Sequence, residues 1–177
     1  MKGLFLSVLY MSVTATQTAS LKDVYCRSES VVVAMAIATD TEPGTEPPQL
    51  SGTAFRVSRV LRGTLETGQS LYSIDSQAFQ IGSHYLLFVR TPTTSEKASH
   101  ASRQATLRVL PSTRLVTNAG APVIPVRAGE AQIPIEQIFV GADLVNPEKR
   151  SRLHAARRPL LLPVTALTSA FGRYHCA

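Results

Sequence analysis

The sequence predicts a mainly β domain, five or six strands rolled into a small barrel with one or two short helices at the C-terminal end. Three observations carry that expectation. Thr, Ser, Val and Leu are abundant, which favours extended segments joined by polar turns. Apolar runs of strand length alternate with Pro-, Gly- and Ser-rich breaks over the first two-thirds of the chain. Helical spacing of apolar residues is confined to the last third.

Residues 30–39 (SVVVAMAIAT) form a nearly continuous apolar run, which suits a strand buried on both faces. Residues 40–49 carry three prolines and a glycine and read as a loop. Residues 52–61 (GTAFRVSRVL) alternate, with Phe55, Val57 and Val60 inward and Arg56, Ser58 and Arg59 towards solvent. Arg62-Gly63-Thr64 breaks that strand. Residues 69–75 make a short strand with Leu71 and Ile74 apolar, residues 79–83 a turn, and residues 84–90 (HYLLFVR) a strongly apolar strand. Residues 92–104 are polar and read as a loop. Residues 105–110 and 114–117 look like a hairpin turning at Pro111-Ser112-Thr113. Residues 123–127 suit an edge strand, because Pro125 has no N–H to donate. Ile135, Ile138, Phe139 and Ala142 have helical spacing within residues 134–145, a helix that Asn146-Pro147 would stop. Residues 163–172 start at Pro and end at Gly, with Val164, Leu167 and Phe171 on one helical face.

The 177 residues suit a single domain. Apolar residues make up 44% of them, enough for a core. The net charge of +6 implies a basic surface. With no Trp and 6% aromatics, the interleaved stacking platform of a single-strand binder is missing, so no nucleic-acid partner is expected.

Lys2 and the apolar residues 3–13 read as a secretory signal, too short to span a membrane. Val13-Thr14-Ala15 fits the cleavage pattern, with Ala19 or Ser20 as alternatives. This gives a signal peptide at 1–20 and one domain at 21–177; the competing reading is a short buried strand or helix. No transmembrane segment is expected. Cys26 and Cys176 would form a disulfide closing nearly the whole mature chain in an oxidising compartment, against two free thiols in a reducing one.

Catalytic patterns are missing. His84, His100, His154 and His175 are scattered, and no G-x-S-x-G, H-E-x-x-H or phosphate-cradling glycine loop occurs. Glu66, Asp75, Glu136 and Asp143 show no pairing in sequence. No cofactor and no metal site are expected, and the chain reads as a non-enzyme. The one charge cluster, Lys149, Arg150, Arg152, Arg157 and Arg158, is a candidate patch for an anionic partner; a solvated linker between two helices is the plainer reading.

One stretch resembles a known family. Phe55-Arg56-Val57-Ser58-Arg59-Val60-Leu61-Arg62-Gly63, followed by Phe79-x-x-Gly82-x-x-Tyr85-Leu86-Leu87-Phe88, resembles the bacterial relatives of the netrin and tissue-inhibitor-of-metalloproteinases modules. The resemblance covers about a third of the chain and implies an exported, OB-like five-stranded barrel with a cysteine near the mature N-terminus. In it Phe55, Val57, Val60, Leu86 and Phe88 would fill the barrel, while Gly63 and Gly82 would sit where unusual dihedrals are needed. The animal inhibitors chelate a protease zinc through an N-terminal cysteine, here Cys26. Cys26-Arg27-Ser28 lacks the second cysteine of their Cys-x-Cys start.

The expected function is therefore an exported, non-enzymatic OB-like binding module. It would present a groove or the loops 40–49 and 92–104 to a protein or glycan partner. The alternatives are a secreted metalloprotease inhibitor acting through the Cys26 region, and a hydrolase whose site is assembled from distant residues.

Overall fold

The computed structural model describes residues 20–41, 44, 46, 50–101, 113–134, 146–174 and 176. The signal-like segment ahead of Ser20, the hairpin arm 105–110, the helix expected after Pro134, and most of the loop 40–49 lie outside them.

Ser20 starts the described chain as a helix cap, its hydroxyl accepting the Asp23 amide at 3.0 Å ahead of α1 (Leu21–Arg27). The long strands β1 (Ser30–Thr41) and β2 (Leu50–Arg62) follow, then β3 (Ser70–Ser73) and β4 (His84–Val89). α2 (Thr94–Ala101) leads to β5 (Arg114–Val116), β6 (Ile124–Arg127) and β7 (Glu130–Ile133). α3 (Pro147–Ala155), β8 (Leu160–Pro163) and α4 (Val164–Phe171) complete the fold.

The strands form one eight-stranded sheet in the order β5-β3-β2-β1-β4-β6-β7-β8, antiparallel except for β3 with β5. The chain is mainly β, as its composition suggests. The five- or six-stranded barrel is not what forms. A single bridge between Arg90 and Thr117, with N···O distances of 3.1 and 3.0 Å, curls the β5 end back to the end of β4. Closure goes no further because the outer edge of β4 is already taken: β6 pairs with His84, Tyr85 and Leu86. β7 and β8 then extend the sheet beyond β6.

From Ser30 to Ala34 β1 is buried on both faces, and alternation divides its side chains between two cores. Val32, Ala34 and Ala36 join Phe55, Val57, Leu71, Phe79, Tyr85, Leu87 and Val116 on one side. Val31 and Val33 join Leu86, Phe88, Ile124, Ile133 and Leu160 on the other, under α1 and α4. Leu86 and Phe88 therefore do not share a core with Phe55 and Val57. Successive β4 residues point to opposite faces, so it is Tyr85 and Leu87 that meet Phe55.

Three further expectations are corrected. The polar stretch 92–104 contains α2. Thr93 and Glu96 form a reciprocal capping box there, with the Thr93 amide donating to the Glu96 carboxylate at 2.8 Å and the Glu96 amide to the Thr93 hydroxyl at 3.3 Å. The strand containing Pro125 is interior, between β4 and β7. β5 pairs with β3 in parallel, and the other arm of the expected hairpin lies outside the described residues. Asn146-Pro147 opens a helix, since Asn146 accepts the Lys149 amide at 2.8 Å and Pro147 takes the first turn.

The expectations for Val164, Leu167 and Phe171 hold, all three being buried on α4. Gly63 adopts φ 100° and Gly82 φ 82°. The Gly63 requirement is also one of space, because a Cβ there would meet the Ser30 hydroxyl and lie 2.7 Å from the Glu29 carbonyl.

Candidate functional site

Cys26 and Cys176 are bonded, with their Cα atoms 5.3 Å apart at a sequence separation of 150. The bond ties Cys176 to α1, where Tyr25 already packs on Phe171 and Tyr174 at ring separations of 5.4 and 5.8 Å. Arg62 adds to the same junction. It donates to the Tyr25 and Ser28 carbonyls at 3.0 and 3.1 Å and lies 4.4 Å from the centre of the Tyr25 ring. Leu21 and Val24, just ahead of Cys26, belong to the core.

The predicted cationic patch lies on α3 and the turn after it. Leu153 packs against the core, while Lys149, Arg152, Arg157 and Arg158 are exposed and Arg150 is half-buried. Glu148 is the one acid of the helix and is ion-paired to Arg152 one turn on. Three of the five cations thus lie on a helix and two in the turn after it.

Its end has a defined geometry. The Arg157 amide donates to the His154 carbonyl at 3.0 Å and the Arg158 amide to the Leu153 carbonyl at 3.1 Å. Those two bonds make a Schellman turn, whose first residue past the cap needs a left-handed conformation. Arg157 supplies it at φ 49°, where glycine would sit without strain. Arg157, Arg158 and Pro159 then wall a groove of about 270 Å³ whose other sides are Val123, Pro125, Gln132 and Pro134. Leu161 stands opposite Gln132 in the β7–β8 register, on the same face.

A second concavity, about 210 Å³, lies between α2 and the β3–β5 end of the sheet, lined by Ile74, Asp75, Ser95, Glu96, Ser99, His100 and Thr117. It gathers Asp75 with Glu96 and His100 of α2, but both carboxylates are committed to the fold. Asp75 accepts the hydroxyls of Ser73 and Thr117 and the Asn118 amide, at 2.7, 2.7 and 2.5 Å. Glu96 accepts Arg90 at 2.5 and 2.9 Å, and this pairing holds its carboxyl down to about 2. The His100 ring packs 5.5 Å from that of Tyr72. Burial, reinforced by the Asp40 carboxylate that accepts its hydroxyl at 3.1 Å, pushes the Tyr72 phenol well above its ordinary value. Gly52 makes this contact possible, since a Cβ there would fall 2.5 Å from the Tyr72 oxygen.

Of the other histidines, His84 begins β4 and His154 lies exposed on α3, neither lining this cleft, while His175 falls outside the described residues. Glu66 is in the β2–β3 loop; Glu136 and Asp143 also fall outside. Among the described residues no group of three or more His, Cys, Asp or Glu is placed to hold a metal ion. No helix among them is long and apolar enough to cross a membrane.

Sequence reasoning placed the five cations but missed the groove beside them. The signals for its walls were the Asn146-Pro147 helix start and the Ala128-Gly129 pair, whose φ values of 49° and 79° make the two-residue turn joining β6 to β7. No known family model matches the chain, and no curated protein matches it either.

Proposed function

We propose that this chain is an exported, non-enzymatic binding module that holds an anionic protein or glycan partner on the face built by α3 and the turn after it. The observation that carries the reading is the concentration of Lys149, Arg150, Arg152, Arg157 and Arg158 on one helix and its terminus, against the single acid Glu148. Like charges this close repel one another, and an anionic partner relieves that repulsion while gaining long-range steering. Export is supported by a disulfide of the kind that oxidising compartments preserve. Kinship with the netrin-like modules is supported by the curl of the first five strands and by the positive φ of Gly63 and Gly82.

Two observations favour binding over the alternatives. A chelating inhibitor would need Cys26 as a free N-terminus, whereas the core residues Leu21 and Val24 precede it. A hydrolase centred on the α2 cleft would need a free acid, whereas Asp75 and Glu96 are spent on structural hydrogen bonds.

The test is retention of the purified chain on immobilised polyglutamate and on a polysulfated glycan across a salt series. Retention at low salt that disappears near ~0.5 M salt, and is abolished by the triple variant Lys149→Glu, Arg150→Glu, Arg152→Glu, is the expected result. Equal retention of variant and wild type at low salt would remove the reading.

A further inference from the structure

Resting on the basic-face reading, we infer that the groove beside it selects an acidic polypeptide carrying an apolar anchor residue, in preference to a uniformly charged glycan.

The floor of the groove is largely apolar. Val123, Pro125, Pro134 and Pro159 line it, with Gln132 as its one uncharged polar side chain. Leu161, beside Gln132 in the register, is 48% exposed and extends the apolar strip. It is one of only three large apolar side chains that stand exposed among the described residues, the others being Ile37 and Ile81. A sulfated glycan would cover this strip with polar groups and leave its apolar surface uncompensated. A leucine-like side chain would remove it from water.

The rim supplies the second half of the recognition. Arg157 and Arg158 wall the groove and continue the cationic face of α3. Guanidinium groups suit carboxylates because their planar forks bond both oxygens at once. The left-handed backbone of Arg157 is the third observation. The turn tolerates arginine there at a cost that glycine would avoid, and the conformation sets consecutive arginines against the same groove. Apolar floor and arginine rim together specify alternating chemistry: carboxylate, apolar side chain, carboxylate.

The experiment uses fluorescence anisotropy with two labelled peptides of equal charge, one alternating Glu with Leu and the other Glu with Ser, and a polysulfated glycan as competitor. The Glu–Leu peptide should bind about tenfold more tightly than the Glu–Ser peptide. Leu161→Thr, a strand-compatible change at an exposed position, should remove about fivefold of that preference. Paired Arg157→Gly and Arg158→Gln should weaken both peptides. Equal affinity for the two peptides, or indifference to Leu161→Thr, overturns the groove inference while salt-sensitive binding leaves the basic-face reading standing. Displacement by the glycan at lower concentration than the Glu–Leu peptide requires overturns it too, and assigns the face to glycans. Absence of binding by every probe at low salt overturns both.

Discussion

Replacing Cys26 and Cys176 together by Ala should cost about 4–5 kcal/mol of stability. The bond closes a loop whose ends are separated by 150 positions in sequence, and in the chain-entropy account a loop that long restricts the unfolded chain by about 5 kcal/mol. In the folded state little should change, because Tyr25 remains packed on Phe171 and Tyr174, and α1 keeps Leu21 and Val24 in the core. The cost therefore falls on the unfolded ensemble. Domains of this size have about 5–15 kcal/mol in hand, so the variant should fold yet be marginal. The chain has no Trp, so urea unfolding is best followed by far-ultraviolet circular dichroism. The midpoint should fall sharply, and the slope should rise because the uncrosslinked unfolded chain exposes more surface. Substituting both cysteines avoids a lone exposed thiol that could cross-link chains. A loss below about 1 kcal/mol with an unchanged slope would refute the reasoning, and would mean that the unfolded chain is compact without the bond.

Three further outcomes follow from particular residues. Gly63→Ala should destabilise by about 2 kcal/mol or more in the same unfolding assay, since alanine must adopt φ 100° and press against the Glu29 carbonyl. Arg157→Gly should do the opposite and raise stability by up to about 1 kcal/mol, because it relieves a left-handed arginine; an unchanged midpoint would count against strain at that turn. Glu96 has a folded-state value near 2, below its ordinary value of 4.5, so its pairing with Arg90 stabilises the fold above pH 4.5. That contribution should fade as pH falls towards 2. Melting temperatures of wild type and Glu96→Gln should thus differ at pH 7 and converge near pH 2, and a gap that widens on acidification would contradict the assignment.

Most of the long strands were legible in the sequence because their burial writes a pattern that needs no partner to be read. The run 30–39 is apolar on both sides of the alternation, and β1 is buried on both faces from Ser30 to Ala34. The short strands were less legible. Glu130–Ile133 and Leu160–Pro163 span four residues each, too few for a periodicity to show, and they find their places through pairing with each other. Barrel closure was misjudged for a related reason: nothing in a sequence says that β6 will occupy the edge of β4 that closure requires.

The missed helices had local signals instead. Thr93-x-x-Glu96 is a capping box, and Asn146-Pro147 is a cap followed by a first-turn proline, read as a stop because a helix was expected before it. Of the functional face, the charges were visible and the groove was not. Its walls come from segments centred on Pro125, Gln132 and Arg157, which meet only through the sheet.

The central claim, an exported module held closed by its termini, is tested most directly by intact mass spectrometry of the chain recovered from a secreting host, before and after reduction and alkylation. The account predicts a processed chain that retains Leu21 and gains two alkyl groups only after reduction. A chain that starts at Cys26, or an unprocessed one whose thiols alkylate without reduction, would contradict it.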